Sequence, residues 1–345
     1  MPFVGWFMRC LDLLSSFVGW VLRCLFASSV KMEGGMEVSM EGGVLAEGGF
    51  SVVYGGVDQA TGLRVAVKEL RCVEREQCLR AEREMAAHRR VRHARVMPLL
   101  DSGVVPLSGG GAIYRLVFPR CASSLREELD ARVVRRDAAP FPPETVATLL
   151  LDVAEGLRAL HGAGLAHRDV KPENVLLDGR GRGVLMDLGS CAETPAGASL
   201  EDRRAALALM DEAATHSTMS YRAPELWAPS AGDAVDGKAD VWSLGCVAWA
   251  LAYGYSPFES EVSADGAVDF VESSHLRALS TPKEPSRDLP QTRHAPSFYA
   301  KLERIARRLF EPDATKRPNI QEAISLVLDL SAGQGHAHPP GGESA

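Results

Sequence analysis

His167-Arg168-Asp169-Val170-Lys171-Pro172-Glu173-Asn174, with Asp187-Leu188-Gly189 thirteen residues beyond Asn174, sets four polar groups in an order that could act on one phosphate. A carboxylate at Asp169 can accept a hydroxyl proton, and Lys171 can hold the phosphoryl group being moved. Asn174 and Asp187 offer the hard oxygen ligands that Mg²⁺ takes beside substrate phosphates. Each of these residues alone is an ordinary loop polar group. Together, in this order and spacing, they point to phosphoryl transfer from a Mg-bound nucleoside triphosphate.

Such a site needs a phosphate-holding half, and residues 45–70 have its marks. Val52, Val53, Val57, Val65 and Val67 predict strands, and Thr61-Gly62 a turn between two of them. Ala46-Glu47-Gly48-Gly49-Phe50-Ser51-Val52-Val53 follows a Gly-x-Gly-x-x-Gly-x-Val pattern, with Ala46 and Ser51 in place of its first and third glycines. Gly48 and Gly49 keep the tip open, so that backbone N–H groups can approach phosphate oxygens without a Cβ in the way. Lys68 ends the apolar strand Val65-Ala66-Val67, and a lysine there must be paired. A helix over 74–91 carries Glu84 as its partner, beside arginines that offer a local alternative. Two more strands are expected near 96–105 and 112–118.

The other half is helical. A helix over 143–161 with Leu149, Leu150, Val153, Leu157 and Leu160 on one face leads into the Asp169 loop. Ser199-Leu200-Glu201-Asp202 reads as a capping box opening a helix to about Ala214. Asp240-Val241-Trp242-Ser243-Leu244-Gly245 begins a buried helix, and Arg317-Pro318 offers a partner for Glu225.

Composition narrows the class. Of 345 residues, 46% are hydrophobic and 24% charged, as in a globular protein. A net charge of −7 argues against nucleic acid as the main partner. The seven cysteines are scattered without Cys-x-x-Cys spacing, which predicts reduced thiols facing the cytosol rather than zinc or a disulfide framework. Residues 1–30 stand apart: Phe3-Val4-Gly5-Trp6 recurs as Phe17-Val18-Gly19-Trp20, and Arg9-Cys10-Leu11 as Arg23-Cys24-Leu25. On a helix, Gly5, Arg9, Asp12, Ser16, Gly19 and Arg23 make one narrow stripe on an otherwise apolar surface. A spanning helix, a helix lying in the membrane interface, a helix packed on protein, and a true start at Met32, Met36 or Met40 all stay open; a secretory signal fits poorly. Cys10 and Cys24 are candidate acylation sites, whereas Pro2 excludes N-myristoylation.

The chain resembles the eukaryotic protein kinases, and within them the Numb-associated kinase group, over residues 44–330. Val184-Leu185-Met186-Asp187-Leu188-Gly189-Ser190, the helix after it, and Ser220-Tyr221-Arg222-Ala223-Pro224-Glu225-Leu226 carry the likeness. The resemblance implies an α+β, two-lobed fold: a small antiparallel sheet with one main helix (44–118), a hinge (118–121) and a larger, mostly helical lobe (122–330). An N-terminal hydrophobic helix (1–30), a Gly-rich linker (31–43) and a disordered tail (331–345) complete the expected organisation. It implies Mg-ATP-dependent phosphorylation of protein serine or threonine, autophosphorylation, and attachment to the cytosolic face of Golgi or vesicle membranes, with the cytoplasm as the alternative. Asp169, Lys171, Asn174 and Thr218 are the implied catalytic residues, with Asn174 and Asp187 on the metal. Ala46, Gly48, Gly49, Ser51, Val53, Ala66, Lys68, Glu84, Val117, Phe118, Arg120 and Leu176 are implied for ATP, with the Phe118 carbonyl and the Arg120 N–H on adenine. Arg168 fits control by phosphorylation, with Thr194, Ser199, Thr215 and Ser217 as candidates. The alternative expectation is that the inserted helix holds the segment active without phosphate. Rival readings are an inactive scaffold on the same fold and, less well matched, a small-molecule kinase.

Overall fold

In a computed structural model the described residues are 29–48, 51–134, 141–194, 199–234, 236–263, 268–283 and 295–332. They form two compact units, one from the described part of 1–89 with 98–120, the other from 90–97 and the described residues from 121 onward. Residues 1–28 of the expected N-terminal helix lie outside the described residues, while 29 and 30 belong to a strand; of the expected disordered tail, 331 and 332 end a helix and the rest lies outside the described residues. Among the described residues no helix is long and apolar enough to cross a membrane.

The first unit is an antiparallel sheet with one helix. Its strands are β1 (Ser29–Lys31), β2 (Glu37–Ser39), β3 (Val44–Glu47), β4 (Ser51–Asp58), β5 (Arg64–Cys72), β6 (Asp101–Pro106) and β7 (Ala112–Pro119). They run β1-β2-β4-β5-β7-β6, and β3 also pairs with β4. The helix is α1, Arg75–Arg90, which buries Ala81, Glu84, Ala87 and His88.

Here the linker expected over 31–43 is corrected. Ser29–Lys31 pairs with Glu37–Ser39, and β2 pairs onward with β4. Gly35 takes the left-handed turn that closes the hairpin (φ 96°), which glycine adopts without a Cβ clash. The Asp101 carboxylate accepts from Gly34 N–H at 2.9 Å and Met36 N–H at 3.0 Å. Met32 and Val38 are buried against Val65, Val67 and Val117. A segment that looks like spacer by its glycines is therefore sheet by its apolar residues.

In the second unit β8 (Ser123–Ser124) and α2 (Leu125–Val134) precede α3 (Pro143–Gly162), whose expected Leu149, Leu150, Val153, Leu157 and Leu160 are all buried. Short strands β9 (Leu165–Ala166), β10 (Val175–Leu177), β11 (Gly183–Leu185) and β12 (Ala192–Glu193) frame the Asp169 loop. Next come α4 (Arg203–His216), α5 (Pro224–Trp227) and α6 (Lys238–Tyr253). The α4 helix starts later than the capping box predicts. Asp202, rather than Ser199, is its cap, accepting from Ala205 N–H at 2.8 Å. Every residue from Ala239 to Tyr253 is buried, so α6 is a central helix and not an amphipathic surface one. Trp242 stacks on Phe258 at 4.9 Å, and Trp249 meets Phe310 edge-on at 6.0 Å. Each such side chain contributes roughly 1.5–3 kcal/mol by burial, so this helix anchors the unit. Arg317, fully buried, grips Glu225 with two bonds of 2.6 and 3.0 Å, as the sequence suggests.

Candidate active site

Asp169 lies at the centre of the second unit's polar network. Its Oδ1 accepts from the Thr218 N–H (2.9 Å) and hydroxyl (2.7 Å). Its Oδ2 accepts from Asn174 Nδ2 at 3.0 Å and faces Lys171 Nζ at 2.8 Å. Lys171 also donates to the Thr218 hydroxyl at 2.6 Å. The four residues expected to be catalytic are thus brought into one bonded cluster, although Thr218 is 49 residues from Asp169 in sequence. A carboxylate held this way is fixed in direction, which is what aiming a hydroxyl requires.

The loop's backbone is shaped by residues outside the Asp169–Asp187 motif. Asp240, at the start of α6 and fully buried, accepts from His167 N–H and Arg168 N–H, each at 2.8 Å, and lies 2.8 Å from His161 Nε2. Burial alone would raise its pKa, but the hydrogen bond and favourable electrostatics of His161 and the Arg168 N–H bring it below the ordinary aspartate value. These bonds hold Arg168 in the left-handed region (φ 65°), a conformation that costs a non-glycine residue energy. His167 Nε2 lies 3.0 Å from the Met186 carbonyl. A carbonyl can only accept, so Nε2 carries the proton and Nδ1 accepts from the Asp169 N–H at 3.3 Å. The available signal was a lone aspartate opening an otherwise apolar helix, because a buried carboxylate must be paired.

Asn174 donates its amide N–H to Asp169, both to the backbone carbonyl (2.8 Å) and to the side chain, which fixes the orientation of its amide oxygen. Asp187 is also left-handed (φ 60°), and its carboxylate accepts from Gly189 N–H. An amide oxygen and a carboxylate suit a hard cation that keeps water and phosphate oxygens as its other ligands, so this donor set fits Mg²⁺. Among the described residues no group of three or more His, Cys, Asp or Glu forms a closed metal cage. Leu176 lies half-buried in β10, paired with Val184 and Ser124.

In the first unit Lys68 Nζ bonds Glu84 Oε1 at 2.7 Å, both residues buried, as their spacing predicts. Strand register then sorts the residues expected to meet ATP. Val53 pairs with Lys68 and with Ala46, while Lys68 pairs with Leu116 and Ala66 with Phe118. Directly opposed residues share a face, and so do alternate ones. Ala46, Val53, Ala66, Lys68 and Phe118 therefore share one face of the sheet, and the Phe118 ring packs on His88 at 4.9 Å. Ser51, opposite Leu70, is on the same face, and Gly48 N–H closes the hairpin onto the Ser51 carbonyl at 2.8 Å. Gly49 lies outside the described residues. Ala46 pairs with Val53 directly after a register shift between Val44 and Ala46, and its Cβ is accommodated there in the strand.

Two residues depart from expectation. Val117 faces the other way: its side chain is fully buried in the apolar cluster with Met32, Val38, Val65 and Val67, and its carbonyl accepts from Leu100 N–H at 2.8 Å. The Arg120 N–H donates to the Arg64 carbonyl at 3.2 Å, so it is committed to the sheet. Hydrogen-bonded pairs alternate along an antiparallel ladder, which puts Phe118 with Ala66 in the same bonded class. The Phe118 carbonyl is thereby turned toward β5 as well. The backbone groups directed out of this ladder are offset by one residue, beginning with the Pro119 carbonyl.

Comparison with known proteins agrees with this geometry. The protein kinase domain model matches residues 40–327. Serine/threonine-protein kinase 16 of Mus musculus is 33% identical over 291 residues, covering 83% of this chain and 88% of the relative. The Homo sapiens protein of the same name has the same identity and coverage. CBL-interacting protein kinase 22 of Oryza sativa subsp. japonica is 36% identical over 235 residues, 63% of this chain and 49% of that one.

Proposed function

The chain belongs to the protein kinase family and is a serine/threonine protein kinase, and from that premise we propose that it moves the γ-phosphate of Mg-ATP to protein serine and threonine hydroxyls, its own included. The observation that carries this reading is the bonded cluster of Asp169, Lys171, Asn174 and Thr218. Asp169 directs the acceptor hydroxyl and takes its proton; Lys171 neutralises charge on the group in transfer. Mg²⁺, when bound, screens the phosphates, and Asn174 and Asp187 are the residues that would hold it. Lys68, fixed by Glu84, addresses the nucleotide phosphates beside the Gly48 turn. Ala46, Val53, Ala66 and Phe118 offer an apolar face to the base, and adenine recognition passes to the Pro119 carbonyl and the Cys121 N–H in place of Phe118 and Arg120.

The test is incorporation of labelled phosphate from ATP into the full chain and into a generic basic protein, with Mg²⁺ or with chelator. Asp169→Asn should lower kcat by about 10²–10⁴-fold while leaving ATP binding in place. A silent parent that still folds and binds ATP would support the inactive-scaffold reading.

Membership of the Numb-associated group and residence on the cytosolic face of Golgi or vesicle membranes belong to the same proposal. They are supported by Asp187-Leu188-Gly189, by the α4 insertion, and by the apolar fourteen-residue repeat of the N-terminal segment. Because Met32 and β1 are part of the sheet, a deletion testing the anchor should end at residue 28. The full chain should float with lipid vesicles and the shortened one should not. Equal flotation of both would defeat the anchor.

A further inference from the structure

The kinase reading leaves one ion pair of the second unit unused. Arg168 directly precedes Asp169, and its guanidinium Nη1 lies 3.1 Å from Glu212 Oε2, on α4. The Arg168 side chain is 10% exposed and that of Glu212 41%. The arginine's backbone N–H is already held by Asp240, so its position is set by the loop and Glu212 comes to it. A guanidinium this far from water needs an anion beside it, since a buried unpaired charge is costly.

Glu212 is rigidly connected to the catalytic aspartate from the other side. It sits in the last turns of α4, whose end is tied down twice: the Ser190 hydroxyl donates to the His216 carbonyl at 2.7 Å, and Ser217 donates to the Ala213 carbonyl at 2.8 Å. Arg222 holds Ser217 through its hydroxyl and its carbonyl, both at 2.7 Å. Thr218 then bonds Asp169. Two rungs, Arg168–Glu212 and Asp169–Thr218, thus join neighbouring residues of the loop to positions six apart on the segment after Asp187. The hydroxyl of Ser217, one of the candidate phosphate acceptors, is already engaged in this bracing.

We propose that Glu212 is a positioning residue that supplies, as a permanent carboxylate, the negative charge Arg168 requires, so that Asp169 and Thr218 are held in register without phosphorylation of the segment. The proposal rests on the kinase reading and adds to it a specific residue and a consequence. Phosphate on a segment residue commonly acts by pairing with an arginine; here the arginine is satisfied by the chain itself.

The experiment uses the full chain treated with phosphatase, with loss of phosphate from residues 187–225 verified by mass spectrometry. The dephosphorylated parent should keep its kcat within about twofold, read as a change in the catalytic step alone. Glu212→Gln, similarly treated, should lose about tenfold or more in kcat with the KM for ATP nearly unchanged, because alignment rather than nucleotide binding is affected. Asp211→Asn, one residue away and exposed, should match the parent. A phosphatase-sensitive parent, or Glu212→Gln indistinguishable from the parent, would overturn the proposal. The parent arm needs no variant, so a phosphatase-sensitive parent overturns the proposal even if Glu212→Gln folds poorly. A parent inactive before any treatment would instead overturn the kinase reading, and this inference with it.

Discussion

In the sheet unit a bond of 2.7 Å joins Lys68 to Glu84 between a strand and a helix; in the helical unit Asp169 receives four donors from three residues. Asp169 and Asn174 are buried, as Lys68 and Glu84 are, yet the two clusters are built to different tolerances. Lys171 and Asn174 come from Asp169's own loop, and the Asp240 acceptors fix that loop's backbone. Losing one contact leaves others to hold the carboxylate. The Lys68–Glu84 pair spans two elements, so it is intact only while α1 keeps its place on the sheet. The contrast is between a network gathered about one carboxylate, which fixes a group, and a link between two elements, which reports a position.

The steepest response to the loss of one supporting contact is therefore expected in the sheet. Glu84→Gln removes the carboxylate that Lys68 bonds and leaves its ammonium buried, a change that costs about 3–5 kcal/mol when a buried pair is broken. Thermal unfolding should show it, and kcat/KM for ATP should fall by about 10²–10³-fold as Lys68 loses its setting. Lys68→Met combined with Glu84→Leu should recover most of the stability and none of the activity. If Glu84→Gln unfolds like the parent, the link does not hold α1 and the comparison fails on the sheet side.

How much of this was legible in sequence follows from how local each contact is. Asp169, Lys171 and Asn174 lie within six residues, so their cluster could be read from spacing, and Lys68 announced itself as a charge at the end of an apolar strand. The helix over 143–161 is found within one residue because its apolar face keeps a helical period. The register at 116–120 could not be read: Leu116-Val117-Phe118 is apolar at every position, so alternation gives no parity, and Val117 and Arg120 were assigned to the wrong side. The hairpin over 29–39 was hidden by its glycines, with Met32 and Val38 too few to show a strand period. Asp240 and Glu212 act on residues 72 and 44 positions away, distances at which a single chain carries no pattern.

The redundancy of the helical cluster can be tested at Thr218. Thr218→Ala deletes the hydroxyl that donates to Asp169 and accepts from Lys171. It keeps the backbone N–H at 2.9 Å from Oδ1, the Asn174 bond and the Lys171 ion pair. A hydrogen bond to a charged group contributes about 1.5–3 kcal/mol, and the remaining donors absorb part of its loss, so kcat should drop about tenfold. That is far less than for Asp169→Asn. Thr218→Ser, which retains the hydroxyl, should stay within about threefold of the parent on the same free-energy scale. The measurement is kcat for all three variants at saturating ATP and matched protein substrate. Were Thr218→Ala as inactive as Asp169→Asn, the other three donors would be shown not to hold the carboxylate. The setting of the carboxylate would then rest on the hydroxyl at position 218, and the helical network would not be redundant.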